Sequence, residues 1–240
     1  NFADSEYDRA LLAKRAVGTA FTPIVFASAF EEGSIYPGTL LKDTPIDNRR
    51  VMIGGLTGIL GEWGLEASGQ DYSNKEVTAR DALVQSMNAA TVRLGEQVGL
   101  DRLKETAARL GISSPIKDFP ASYLGSSGAS LAEMTLAYTA FPQGGKRPAS
   151  MYFIRKIIDD NERTIYQKEK PEESALQVIS PTAAYQVHSC LVEVPKKGTA
   201  ANVAELGLTL DPVAGKTGTH YNFKDLWFLG YSNQLTSGVW

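Results

Sequence analysis

Two short runs in this chain carry groups that acyl transfer through a hydroxyl uses. Ser86-Met87-Asn88 brings a hydroxyl and a carboxamide, and Lys216-Thr217-Gly218-Thr219, far along the chain, brings an amine and two further hydroxyls. Acylating a hydroxyl needs a nucleophile, a base to take its proton, and donors for the developing oxyanion. A third run, Gly18-Thr19-Ala20-Phe21-Thr22-Pro23, adds two hydroxyls at the start of an apolar stretch. Each run is weak by itself. A Ser-x-Asn occurs by accident about once in a chain of this length, and taken in isolation it reads as an ordinary helix terminus with capping residues. His220 follows the lysine run and could serve as a base, although a lone histidine is more often a packing residue. Two histidines and one cysteine argue against a metal centre, so neither a metal nor a cofactor is expected.

The elements that must position these groups change in kind along the chain. Ala20 to Phe30 is apolar on every side, which predicts a helix buried all round, with Pro23 in its first turn and Gly33 as its stop. Residues 34–76 read as a glycine-punctuated loop. Thr78 should cap a helix over 79–85, with Asp81 three residues on. Ser86-Met87-Asn88 then interrupts, and a second helix is expected from about Ala89 to Val98. Asp101 is expected to cap a third, with Leu103, Ala107 and Leu110 on one face and Gly111 as its stop. Ser130 precedes a fourth, whose apolar positions are Leu131, Met134, Leu136 and Tyr138. After Gly144-Gly145 the pattern turns to strands, Met151–Ile158 and Arg163–Gln167, around a turn at Asp159–Glu162. Ser180-Pro181 opens a helix to about Val192. Strands at Val213–Thr219, Asp225–Tyr231 and Thr236–Trp240 close the chain, joined by a loop around Asn222 and a tight turn at Asn233-Gln234. Helices in the middle and strands at the end predict an α+β fold.

Composition excludes some classes. The 240 residues suffice for one large domain or two small ones. A hydrophobic share of 43% with 21% charged is that of an ordinary globular protein. The formal net charge of −3 supplies no basic field, so nucleic acid is not expected as a partner. The longest apolar run, Ala20 to Phe30, is interrupted by Thr22, Pro23 and Ser28 and falls short of a membrane span. The first residues have neither the basic start nor the apolar core of a signal peptide. The abrupt start and the strand-like close at Gly238-Val239-Trp240 predict a piece of a longer chain. Cys190 lies in an apolar run and reads as a small buried hydrophobe.

From Tyr7 to Trp240 the chain resembles the transpeptidase domain of bifunctional, class A penicillin-binding proteins. Ser-x-Asn and Lys-Thr-Gly are two of the three marks of penicillin-recognising serine enzymes. The likeness extends to Thr78-Ala79-Arg80-Asp81-Ala82-Leu83, Ala90 to Gly99 ending in Glu96-Gln97-Val98-Gly99, Leu124-Gly125-Ser126-Ser127, Gly198-Thr199-Ala200 and Asp225 to Tyr231. The third mark, Ser-x-x-Lys, falls on Thr19 and Thr22, so threonine stands at both the nucleophile and the base position. The literal Ser-x-x-Lys at Ser114-Pro115-Ile116-Lys117 follows a helix stop and opens no buried helix, and Thr39-Leu40-Leu41-Lys42 reads as a loop feature. Between Pro45 and Val77 relatives usually carry Tyr-x-Pro-x-Asn; here a glycine-rich stretch with Trp63 replaces it.

The resemblance implies one domain over 1–240 with the penicillin-binding, β-lactamase-like fold. Its antiparallel sheet packs on helices, and an all-helical region at about 34–143 is inserted between the nucleophile-position helix and the C-terminal sheet. It further implies that Lys216 helps bind a substrate carboxylate and tunes Ser86. Thr217 and Thr219 would bond that carboxylate, and Gly218 would admit the substrate backbone. Asn88 would hold the acyl donor's amide, and Ser86 would relay a proton to the leaving group. Threonine at 22 cannot replace a lysine base, because its hydroxyl does not ionise near neutral pH; the methyl of Thr19 also crowds the groove. The expectation is therefore a catalytically inactive transpeptidase-like domain of peptidoglycan synthesis. It would hold a stem peptide or a β-lactam non-covalently, or serve a cell-wall synthesis partner or an attached glycosyltransferase domain. The alternative is an active D,D-transpeptidase with Thr19 as nucleophile and Lys216, through Ser86, as base. A β-lactam sensor would need the same acylation. The implied setting is extracytoplasmic, anchored to the plasma membrane through a segment outside this chain.

Overall fold

In the computed structural model, residues 4–46, 72–168, 175–206, 213–220 and 223–240 are described, without the side chains of 204–206. The stretch 47–71, with Trp63 and the replaced motif, and the loop at Asn222 lie outside the described residues.

The chain starts with a short helix α1 (Arg9–Leu12) and a two-residue strand β1 (Arg15–Ala16). A 3-10 turn, Gly18–Phe21, then feeds α2 (Thr22–Phe30), every residue of which is buried. Pro23 occupies the first turn as expected, where the backbone needs no amide donor. Strand β2 (Leu40–Asp43) pairs antiparallel with β3 (Lys75–Thr78). This ladder corrects the loop reading at 40–43 and 75–76, and with it that of Thr39–Lys42. Leu41 and Asp43 point inward and Leu40 and Lys42 outward, the period-two pattern of a half-buried strand.

Thr78 caps α3 (Ala79–Val84) by accepting from the Asp81 amide. Helix α4 (Asn88–Val98) begins one residue before the expected start, and α5 (Leu100–Leu110) follows it directly. The expected Asp101 cap is corrected: the cap is Gly99, whose φ of +85° lets one residue end α4 and start α5. Asp101 lies in the first turn instead, where its charge suits the helix dipole. Gly111 stops α5 in the left-handed conformation. Strand β4 (Gly128–Ala129) pairs with β1. Ser130 then opens α6 (Leu131–Tyr138) with a full capping box to Glu133.

Short ladders follow: β5 (Lys146–Pro148) pairs with β8 (Ala175–Gln177), and β6 (Lys156–Ile158) with β7 (Thr164–Gln167). Helix α7 (Pro181–Leu191) has Ser180 as its cap, and α8 (Val194–Lys197) follows. Strands β9 (Ala214–His220), β10 (Asp225–Tyr231) and β11 (Thr236–Val239) form an antiparallel sheet in the order β11-β10-β9. The architecture is α+β, as expected. Helix α2 sits at the centre, packed by α4, α5 and α7, while the 3-10 turn before it lies on β9 and β10. Cys190 is wholly buried, and burial pushes its thiol up to about 11.

Candidate functional site

The three runs singled out in the sequence come together where the 3-10 turn Gly18–Phe21 meets β9. Main-chain contacts hold that turn. The amides of Val17 and Gly18 both donate to the Gly125 carbonyl, at 2.9 and 3.1 Å. The Tyr138 hydroxyl donates to the Ala20 carbonyl at 2.6 Å, and the Trp227 indole to the Ala16 carbonyl at 2.8 Å. Gly18 has φ +60°, and a Cβ there would lie 2.3 Å from the Thr219 carbonyl oxygen. A Cβ on Gly218 would lie 2.4 Å from the Val17 carbonyl oxygen. Gly218 is therefore required by the fold itself, whatever it does for a ligand.

Thr19 is 7% exposed, and its hydroxyl donates to the Thr217 carbonyl at 3.2 Å. Thr22 is 1% exposed, and its hydroxyl donates back to the Thr19 carbonyl at 2.8 Å, closing the bond within the turn. Each proton is directed at a carbonyl, which cannot take it. Lys216 has no exposed surface; its ammonium donates to the Ser86 hydroxyl at 2.5 Å and to the Thr217 carbonyl at 3.2 Å. The Thr217 carbonyl thus gathers Thr19 and Lys216 onto one acceptor. The Thr217 hydroxyl shares a 2.7 Å hydrogen bond with Thr199, either of which can donate. The loop bearing Thr199 is held to α3: Gln85 donates to the Lys197 carbonyl at 2.8 Å, and a Cβ on Gly198 would lie 2.5 Å from the Val84 carbonyl.

Ser86 is positioned by the end of α3. The Met87 amide donates to the Ala82 carbonyl at 2.8 Å and the Ser86 amide to the Leu83 carbonyl at 3.4 Å, the paired bonds of a Schellman motif. Ser86 holds the left-handed position of that motif with φ +56°, a place where glycine is the least strained choice. The sequence reading did not foresee this conformation; a serine at an expected glycine position was the available signal. Asn88 is buried as the first residue of α4, and Thr219 is half-buried.

His220 faces Asp225 across the ladder at the far end of β9. Burial lowers its pKa, Arg15 adds to that, and Asp225 opposes it. Ser114, in the literal Ser-x-x-Lys, is buried and donates to Glu133 at 2.8 Å, so it belongs to a structural cluster. Among the described residues, no group of three or more His, Cys, Asp or Glu is placed to hold a metal, and no helix is long and apolar enough to cross a membrane.

The penicillin binding protein transpeptidase domain family matches residues 4–239. Penicillin-binding protein 1A of Neisseria meningitidis serogroup A is 31% identical over 245 residues, covering 100% of this chain and 29% of that protein. Penicillin-binding protein 1B of Haemophilus influenzae is 31% identical over 237 residues, covering 98% of this chain and 29% of that protein. The chain thus spans under a third of the curated relatives it matches. Among solved structures, penicillin-binding protein 1A from Haemophilus influenzae superposes with a TM-score of 0.79 at 22% identity, over 99% of this chain and 39% of that one. Penicillin-binding protein A from M. tuberculosis, solved as its imipenem acyl-enzyme complex, gives a TM-score of 0.72 at 19% identity, over 99% of this chain and 56% of that one.

Proposed function

The chain belongs to the penicillin-binding protein transpeptidase family, and from that premise we propose that it serves peptidoglycan synthesis by holding acyl-donor peptides without acylating residue 19. The observation that carries this reading is the state of Thr19 and Thr22. A working nucleophile–base unit needs the base to accept the nucleophile's proton. Here the group at 22 is a hydroxyl bonded to the carbonyl of residue 19, and the Thr19 proton points at the Thr217 carbonyl. Removing one member of such a unit already removes most of its rate acceleration, and both members are changed. The rest of the groove supports binding. Lys216 on β9 bonds Ser86, Thr217 beside it bonds Thr199, and Asn88 opens the helix that follows Ser86. The buried Lys216 ammonium acts outward through the Ser86 hydroxyl it bonds. The ligands are stem peptides of peptidoglycan, or the β-lactams named for the relatives; the setting is extracytoplasmic, with partners drawn from cell-wall synthesis.

The second reading, Thr19 as a working nucleophile, is favoured by one observation: Thr19 and Lys216 meet on the same Thr217 carbonyl. One experiment separates them. A stem pentapeptide ending in D-Ala-D-Ala is titrated calorimetrically while released D-alanine is assayed. Binding heat without D-alanine, and residue 19 unmodified on peptide mapping after penicillin treatment, is the expected result. D-alanine release that vanishes in Thr19→Ala would overturn the proposal.

A further inference from the structure

With residue 19 silent, the groove still contains one hydroxyl held against one amine. We propose that Ser86 is a nucleophile in its own right, with Lys216 as its base, and that it accepts the acyl group of strained or activated donors such as β-lactams. The proposal rests on the reading of residue 19 given above and adds a covalent site that the reading lacks.

Three observations carry it. The Ser86 Oγ to Lys216 Nζ distance of 2.5 Å is hydrogen-bonding contact, the geometry of a serine–lysine pair. The two partners divide the roles by exposure: Ser86 is half-buried and within reach of a ligand, whereas Lys216 has no contact with solvent. The backbone at Ser86 is held at φ +56° by the two bonds that end α3. Glycine would satisfy that conformation with less strain. What serine adds is the hydroxyl, and that hydroxyl is spent on Lys216. Strained backbone of this kind recurs at nucleophile positions, where it presents a side chain at a sharp turn.

The next element fits the chemistry as well. Helix α4, eleven residues long, starts two positions after Ser86, and Met87 at its cap supplies no side-chain bond to the first-turn amides. The positive end of its dipole therefore lies two residues along the chain from Ser86, where it favours negative charge.

The step balances with the groups present. Lys216, an ammonium in the resting groove, first gives a proton to solvent, which rising pH favours; as the neutral amine it then accepts the Ser86 hydroxyl proton as Oγ attacks the acyl carbonyl carbon. The carbonyl–nitrogen bond of the β-lactam breaks, and the proton passes from Lys216 to the departing ring nitrogen. Ser86 is left as an ester and Lys216 as an amine. An unstrained peptide amide, with a poorer leaving group, binds without this step.

The test uses the whole chain. Penicillin labelling is followed by intact mass across about pH 6 to 10, and the modified residue is located by tandem mass spectrometry. The expected result is an adduct on Ser86 that forms faster as pH rises and is absent in Ser86→Ala. Lys216→Met, which keeps the volume of the buried side chain, should slow labelling by about 100- to 10,000-fold. If Lys216→Met loses its fold by circular dichroism, the wild-type pH profile and Ser86→Ala decide the matter. A flat pH profile, or no adduct at Ser86 at any pH while stem-peptide binding persists, overturns this proposal alone. An adduct on Thr19 overturns both it and the reading it rests on.

Discussion

Glu133 should be the residue whose loss is felt most widely outside the groove. Its Oε1 accepts from the Ser113 amide at 3.0 Å, the Ser113 hydroxyl at 2.6 Å and the Ser114 amide at 3.0 Å. Its Oε2 accepts from Lys14 at 2.7 Å, the Ser114 hydroxyl at 2.8 Å, and the Ser130 amide and hydroxyl at 2.8 and 3.1 Å. Glu133→Gln keeps the shape but turns one oxygen into a donor. The serine hydroxyls can reverse and accept; amides and an ammonium cannot. If the new amine replaces Oε1, two backbone amides lose their acceptor; if it replaces Oε2, the Ser130 amide and Lys14 do. Each orphaned buried donor costs about 1–3 kcal/mol; the second orientation costs less than two such donors because Lys14 is 45% exposed and turns to water, so the variant should lose about 2–4 kcal/mol. For a domain of this size that is about 5–15 °C in Tm, read by thermal denaturation near pH 7. The pH dependence has a definite sign. Burial alone would raise the Glu133 pKa, but bonds from Lys14, Ser113, Ser130 and Ser114 outweigh it and hold the carboxyl well below the usual carboxylate range. A group depressed on folding stabilises above its unfolded pKa, about 4.3, and loses that contribution as pH falls towards the folded value. The gap between wild type and Glu133→Gln should therefore be full at about pH 7 and shrink below about pH 4. A Tm change under about 1 °C, or a gap independent of pH, would refute the reasoning.

Three further predictions concern the groove. Tyr138→Phe removes the bond to the Ala20 carbonyl and should cost about 1–2 kcal/mol, measured by urea denaturation. Gly218→Ala drives a methyl towards the Val17 carbonyl and Ala20 and should cost about 1–3 kcal/mol, with weaker stem-peptide binding in calorimetry as β9 lifts from the turn. The double change Thr19→Ser with Thr22→Lys should create a penicillin adduct mapped to residue 19; a silent variant that still folds would place the defect elsewhere in the groove.

Much of the frame was legible because local rules governed it. Thr78, Ser130 and Ser180 mark helix starts through bonds to amides three residues on, and such signals survive without tertiary information. The strand carrying Lys216-Thr217-Gly218-Thr219 and its partner Asp225–Tyr231 were legible because both runs belong to the resemblance. The ladder of β2 and β3 was missed because four residues with one large inward side chain, Leu41, give too little periodicity. The Asp101 cap failed because Gly99 can take a positive φ and serve two helices at once. Within the groove, residue identities were readable but their wiring was not. Two side chains from separate runs bond the main-chain oxygen of Thr217, an atom every residue type possesses. Glu133 was missed: its spacing of three from Ser130 is a capping-box signal in the sequence, but Lys14, Ser113 and Ser114 reach it only through tertiary packing.

The turn that carries Thr19 is wedged between two other stretches of main chain. A Cβ on Gly125 would lie 2.2 Å from the Gly18 carbonyl oxygen, and one on Gly18 would lie 2.3 Å from that of Thr219. The outline of the socket is thus drawn by backbone and by missing side chains, whereas Thr19 and Thr22 contribute to it side chains one helical turn apart. Form and reactivity can drift independently. A lineage can discard the chemistry at 19 and 22 while the scaffold around them keeps its shape, and a protein engineer can treat the two positions as an exchangeable cartridge, trying other nucleophile–base pairs there without redesigning the walls.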